Sequence, residues 1–331
     1  MKKIAIFGCK TTTKFTIECL SSQFEISHLI TINPDLADKH QVADYCELQE
    51  LADSLNIDVY VAKTYNLKHE IDVETINSMK LDLAFVIGWQ RLISENILSN
   101  ISIGIFGMHG SSMNLPLGRG RSPMNWSLIE NRQFFYTNLF KYDAGVDSGD
   151  VVDTFVFSIN VHDTAETMHV KNMLAMKYLI TKNQANLLTN NFTLTKQSNQ
   201  QPTYYPKRSP SDSLINWQED VFWLDRFIRA VTKPFNGAYS FLANDQLTIY
   251  RASIFETDIV SFGYEDDPVA SIVEIFPSGK FLVKCNAGLL IVHEYLSAAT
   301  ISRGMKFGNA DQTIHCFNRN QLGYYDLPES N

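Results

Sequence analysis

Through the first ninety residues, short apolar runs alternate with segments of helical length. Ile4–Phe7 is an unbroken apolar run closed by Gly8, and 13–22 spaces its apolar residues for a helix. A second strand, 26–32, ends at Asn33-Pro34-Asp35. Leu48, Leu51, Ala52 and Leu55 give 42–56 a helical spacing, and 59–62 is strand-like again. A helix near 72–79 leads into 82–87, a continuous apolar run of the kind buried on both faces of a parallel sheet. Strands alternating with helices predict a doubly wound α/β domain, whose ligands lie beyond the carboxyl ends of the strands.

The second half changes character. Asp163-Thr164-Ala165-Glu166 is a start signal for a long helix over 164–183, with Met168, Leu174, Met176, Leu179 and Ile180 as its core face. Residues 196–210, rich in Gln, Ser, Asn and Pro, read as a linker, so the expected domains are 1–203 and 204–331. Tyr204-Tyr205 either pins that linker or stacks on a base. Beyond it come one helix, Val221–Val231, and then short β runs at 247–251, 270–276, 280–285 and 289–293. Turns at Pro277-Ser278-Gly279 and Asn286-Ala287-Gly288 complete the pattern of a smaller, barrel-like β domain, with Trp217 in its core.

Composition narrows the function. Hydrophobic residues at 45% and charged residues at 19% exclude wholesale disorder. No apolar run reaches the roughly 18–20 residues of a membrane span. The basic, then apolar, N-terminus is too short for a signal peptide. The five cysteines form no CxxC pair and read as reduced thiols of a cytoplasmic protein. Net charge −8 argues against a general nucleic-acid binder. Gly8-Cys9-Lys10-Thr11-Thr12-Thr13 fits neither the dinucleotide nor the P-loop spacing. His162 and His169 have no partners at metal spacing, so no metal site is expected.

Chemistry concentrates in residues 104–153. A strand at 103–106 puts His109 just past its end, and Pro116, Gly118, Gly120 and Pro123 impose an irregular loop. Ser122-Pro123 opens a helix to about Ile129. A strand over 136–142 then delivers Asp143 and Asp147 into a loop punctuated by Gly145 and Gly149. Taken singly, His109 could equally satisfy loop carbonyls, and the aspartates could be turn formers. Arg119 and Arg121 read as solvated loop residues, with phosphate contact as the alternative.

In combination these residues resemble the folate-dependent formyltransferases, which include the methionyl-tRNA and the amino-sugar enzymes. His109, Leu115-Pro116, Arg119-Gly120, Pro123 and Asp143-Ala-Gly145-Val-Asp147-Ser-Gly149-Asp150 follow the family's signature in order. Gly88-Trp89-Gln90-Arg91-Leu92-Ile93 sits where the family holds a pterin, and Ile215-Asn216-Trp217, Arg229-Ala230 and 234–238 resemble the start of its C-terminal domain. The resemblance implies a Rossmann-like core followed by an OB-like β domain, with N10-formyltetrahydrofolate as formyl donor. It implies that His109 and Asp147 carry the catalysis. It further implies that Trp89, Gln90, Arg91, Leu92, Ile93, Asp143 and Asp147 bind the donor. The reaction joins an amine to a formyl carbon through an oxyanion, so it needs a hydrogen-bond donor for that oxygen and an acceptor for the amine's proton.

One departure stands out. The family's Asn-x-His has Gly107 in place of the asparagine, and the stretch from His109 to Pro116 is two residues longer than usual. Asn114 in the longer loop is the expected substitute donor; Asn125 and Asn138 are the others.

Charge bears on the acceptor. From Tyr205 to Asn331 there are eleven Lys/Arg and fifteen Asp/Glu, a net of −4. A tRNA-binding domain would be basic, because phosphate contacts dominate such affinity. The reading is therefore an N-formyltransferase for a small amine, a nucleotide-linked amino sugar of surface-glycan synthesis, with nucleic acid disfavoured and a homodimer left open. The alternatives are a methionyl-tRNA formyltransferase and a non-catalytic folate-binding homologue.

Overall fold

The structure, a computed structural model, describes residues 2–258, 260–309 and 311–326. By chain contacts it divides into two compact units. One runs to Gly120 and adds Phe134–Ser158 and Val170–Tyr204; the other joins Arg121–Gln133 and Ile159–His169 to the chain from Tyr205 onward.

The first unit is built on strands β1 (Ile4–Phe7), β2 (Ile26–Thr31), β3 (Asp58–Val61), β4 (Leu83–Val86) and β5 (Gly104–Ser111). Helices α1 (Thr11–Leu20), α2 (Pro34–Lys39), α3 (Gln49–Ser54), α4 (Glu70–Ser78) and α5 (Glu95–Leu98) connect them. Then follow β6 (Arg119–Gly120), helix α6 (Pro123–Ile129, in the second unit), β7 (Phe134–Lys141), β8 (Val151–Ser158), the long helix α7 (Ala165–Thr189) and β9 (Tyr204–Tyr205). The sheet order is β3-β2-β1-β4-β5-β7-β8. Its first five strands are parallel, while β7 and β8 run antiparallel. Alternate residues of each strand feed two cores. Ile6, Leu29, Phe85 and Phe106 face one, Phe7, Ile30, Ile105 and Trp89 the other. Burying each such side chain is worth about 1.5–3 kcal/mol before entropy is counted. This is the expected doubly wound, Rossmann-like architecture.

Four local readings change. Asn33 does not merely end β2: its Oδ1 accepts from Leu36 N at 2.9 Å and starts α2, with Pro34 in the first turn. The helix expected over 42–56 survives only as α3, because 42–48 are held by turns and single bridges such as Lys10↔Tyr45. Helix α7 runs six residues past the expected end, and Leu174 is 54% exposed while Met168, Met176, Leu179 and Ile180 are buried. Residues 196–210 are not a free linker, since Thr203 and Tyr205 are buried and β9 pairs with β6.

In the second unit, Asp220 caps helix α8 (Val221–Val231) through Trp223 N at 2.7 Å. The helix buries Val221, Leu224, Phe227, Ile228 and Val231. Strands β10 (Ala238–Leu242), β11 (Asp245–Glu256), β12 (Ile272–Ile275), β13 (Phe281–Cys285), β14 (Gly288–Ser297) and β15 (Phe307–Gly308) form an antiparallel sheet in the order β12-β13-β14-β11-β10-β15. Register shifts along β11 curl it. Ile272 N then bonds Met305 O, and Phe307 N bonds Ala270 O, each at 2.8 Å, so the first and last strands meet. The expected barrel-like domain is present, and Trp217 lies in its core, stacked 4.8 Å from Phe307. Among the described residues no helix is long and apolar enough to cross a membrane.

Candidate active site

The parallel pairing of β4 with β5 stops at Val86↔Gly107, whereas β5 continues against β7 as far as Ser111↔Tyr136. His109 is therefore inside the strand rather than past its end, opposite Asn138. It still lies beyond the carboxyl end of β4, where open α/β sheets bind ligands. Gly107 and Gly110 hid this strand extension, yet both are dictated by close packing. A Cβ at 107 would fall 1.9 Å from Tyr142 Cε2, and one at 110 would fall 2.5 Å from Phe135 Cε1.

His109 is buried, and each ring nitrogen faces an acceptor. Nε2 is 2.7 Å from the Gly118 carbonyl, and Nδ1 is 3.3 Å from Asp147 Oδ2. A neutral imidazole has one N–H. Nε2 is thus engaged by the Gly118 carbonyl, and Nδ1 lies beside the Asp147 carboxylate.

Asp147 follows β7 in a left-handed conformation, φ 49°. Gly149 lets this loop turn tightly, for a Cβ there would lie 1.7 Å from Lys141 O. Asp147 Oδ2 also accepts from Gly120 N at 3.1 Å; Oδ1 has no protein hydrogen bond among the described residues. The loop is held from outside its own sequence. Gln197 Nε2 donates to Asp147 O and Gly149 O, both at 2.8 Å, and Gln197 Oε1 accepts from Arg119 at 2.6 Å. Arg119, expected in solvent, is 8% exposed, because Gln197 and Tyr204 fix its guanidinium. Gln197 escaped the sequence reading, since it sits in a stretch of linker composition.

The 88–94 loop follows β4. Trp89 and Ile93 are buried beneath it, Trp89 edge-on to Phe7 and Tyr65, while Gln90 and Leu92 are exposed. Arg91 lies 4.6 Å over the Tyr65 ring. The backbone groups of Arg91, Leu92 and Ile93 make no hydrogen bond among the described residues, and the buried Trp89 Nε1 has no acceptor. Asp143 is exposed, its Oδ1 accepting from Gly145 N and Ser148 Oγ.

The asparagines separate clearly. Asn114 is exposed, its Oδ1 accepting from Leu115 N at 3.1 Å, with no bond to His109 or Asp147. Asn125 spends its amide on Ala230 O at 2.6 Å. Asn138 is fully buried, with Oδ1 bound to Thr154 and Nδ2 without a partner among the described residues.

The chain is 18% identical to the N-formyltransferase of Helicobacter canadensis, whose crystal structure holds folinic acid and dTDP-3-aminofucose; the match covers 89% of this chain and all of that one, at TM-score 0.62. The sugar 3N-formyltransferase WlaRD, crystallised with dTDP and 5-N-formyl-tetrahydrofolate, matches at 18% identity, 91% and 99% coverage and TM-score 0.62. Methionyl-tRNA formyltransferase of Clostridium thermocellum matches at 19%, 77% and 94%, with TM-score 0.53. At these identities the likeness shows a shared fold. The sequence profile described as formyl transferase covers residues 2–180, over half the chain, and that of the formyl transferase C-terminal domain covers 207–306. The chain belongs to the folate-dependent formyltransferase family.

Proposed function

We propose that this protein transfers a formyl group from N10-formyltetrahydrofolate to the amine of a nucleotide-linked amino sugar in the cytoplasm. The carrying observation is the His109–Asp147 pair beyond the end of β4, within a chain of this family. The donor's pterin fits the 88–94 loop, whose unpaired backbone groups at Arg91–Ile93 match a ring edge rich in donors and acceptors. Bound there, the donor supplies an electrophilic formyl carbon. The acceptor amine forms a C–N bond to that carbon, the bond to N10 breaks, and the amine's proton ends on N10. Asp147 Oδ1, free of protein partners, takes that proton first. His109 holds the carboxylate in place and carries the positive charge that offsets it.

Two observations support a small acceptor over tRNA. The chain from Tyr205 is acidic, net −4, where phosphate recognition would want the opposite sign. Two structural neighbours are sugar enzymes or carry a dTDP-aminosugar. The test is incubation with 10-formyltetrahydrofolate and a panel of amino-sugar nucleotides, read by a mass gain of one formyl group. Formylation of initiator methionyl-tRNA, with binding that falls steeply with salt, would reverse the assignment.

A further inference from the structure

Gly107 has no side chain, and the space above it is occupied. It lies two residues before His109 on β5, so both positions present the same face of the strand. Where a Cβ would stand at 107, the Tyr142 ring passes with Cε2 at 1.9 Å, Cζ at 2.8 Å and Cδ2 at 2.9 Å. The phenolic oxygen, one bond beyond Cζ, therefore lies close beside the point from which a side chain at 107 would start. The ring is held from two sides: Tyr142 N donates to Ile105 O at 2.8 Å, and the ring stacks on Phe140 at 5.1 Å and 10°.

We propose that the Tyr142 hydroxyl donates the hydrogen bond to the formyl oxygen as that oxygen gains charge, taking the place of the side chain that position 107 lacks. The inference rests on the formyl-transfer reading above. Burial, reinforced by the nearby Asp147 carboxylate, pushes the phenol's pKa well above its ordinary value, so the group remains a donor throughout the working pH range. No protein acceptor binds this hydroxyl among the described residues, which leaves its proton for a ligand. The asparagines offer less. The amide of Asn125 is spent, Asn114 is exposed, and Asn138 is wholly buried. On this account Gly107 is not a lost donor but the room that a larger donor requires.

The decisive variant is Tyr142→Phe in the full chain, which keeps the stack on Phe140 and the cover over Gly107. Formyl transfer is measured from 10-formyltetrahydrofolate to the best acceptor of the panel, and donor binding by thermal shift with 5-formyltetrahydrofolate. The expected result is a kcat lower by about 10²–10³, the size of one oxyanion donor. The donor KM should stay within about threefold and the melting temperature should not move. A merely structural ring would not produce that split. If wild type transfers formyl and Tyr142→Phe loses less than about tenfold in kcat, this inference falls and the formyl-transfer reading stands. If wild type neither binds folate nor transfers formyl to any acceptor, including methionyl-tRNA, the reading falls and takes the inference with it.

Discussion

Two buried polar clusters, one in each unit, are built from similar groups and finished differently. In the second unit Glu130 accepts from Tyr205 Oη at 2.7 Å, from Arg132 at 2.8–2.9 Å and from Arg319 at 2.7 Å. Beside it Trp126 Nε1 donates to Pro206 O at 2.9 Å, and Arg208 lies 4.8 Å over the indole. Both oxygens of that carboxylate are used. In the first unit His109, Asp147, Arg119 and Gln197 form a comparable web, yet among the described residues Asp147 Oδ1 is open and Arg119 Nε is buried without a partner. Asp147 also holds a left-handed backbone. Since nearly all buried polar groups in folded proteins are paired, an incomplete web marks the place where a ligand is expected, and a complete one marks structure.

Asp147→Asn should separate the two clusters most sharply. Asparagine tolerates positive φ better than alanine does, so the loop keeps its shape while the proton acceptor is lost. The expected outcome is a kcat lower by about 10²–10⁴ with folate binding retained. A stopped-time assay and a thermal shift with 5-formyltetrahydrofolate check both halves. Retention of more than a tenth of wild-type turnover would show that the open oxygen is not the proton acceptor.

Gln197 comes next. It touches neither reacting atom in this scheme; it fixes Asp147 by holding the carbonyls on either side of Ser148. Gln197→Ala should lower kcat by about 10–10², the cost of small misplacements at a reacting centre. The acceptor KM should barely move. An equal change in kcat and KM would assign Gln197 to binding instead.

These two residues show what was legible. Asp147 was visible because glycines and aspartates recur at fixed spacing on contiguous chain, next to a histidine motif. Gln197 was not, because packing brings it to the Asp147 loop from a stretch whose composition signals only a linker. Tyr142, although next to that motif, reads only as the end of a strand. The fold behaves similarly. Continuous apolar runs such as Leu83–Val86 announced themselves, whereas the second half of β5 is Gly-Met-His-Gly-Ser and owes its strand state to pairing with β7. Helical spacing over 42–56 was genuine at Leu51 and Ala52, but tertiary bridges claimed the preceding residues.

In the completed cluster the effect should be on stability, not on turnover. Burial works against the Glu130 carboxylate, but Tyr205 and the two arginines outweigh it and hold its pKa below the ordinary value. A depressed folded pKa gives stability that is complete above the ordinary carboxylate range and lost as pH falls through the folded value. Glu130→Gln should cost about 2 kcal/mol at neutral pH, after discounting the half-exposed arginines. That corresponds to roughly 4–8 °C in melting temperature. The gap between variant and wild type should close as pH drops from about 5 toward 3. A gap independent of pH would mean that shape, not charge, holds the cluster.

The smallest effect is expected at Asn114, the residue in the lengthened loop that the sequence favours as substitute donor. Its carbonyl oxygen Oδ1 already accepts from Leu115 N, and its backbone carbonyl accepts from Leu117 N at 3.0 Å. It therefore shapes the turn that leads to Gly118, whose carbonyl receives His109 Nε2. With the oxyanion served by Tyr142, Asn114→Ala removes one exposed turn bond, worth about 0.5–1.5 kcal/mol. Turnover should then stay within about threefold of wild type, because no transition-state contact is lost. Asn114→Asp keeps the turn acceptor and adds charge, so it should be at least as active as Asn114→Ala. A loss of about 10²–10³ in kcat for both variants, with Tyr142→Phe unaffected, would move the oxyanion donor from Tyr142 to the loop.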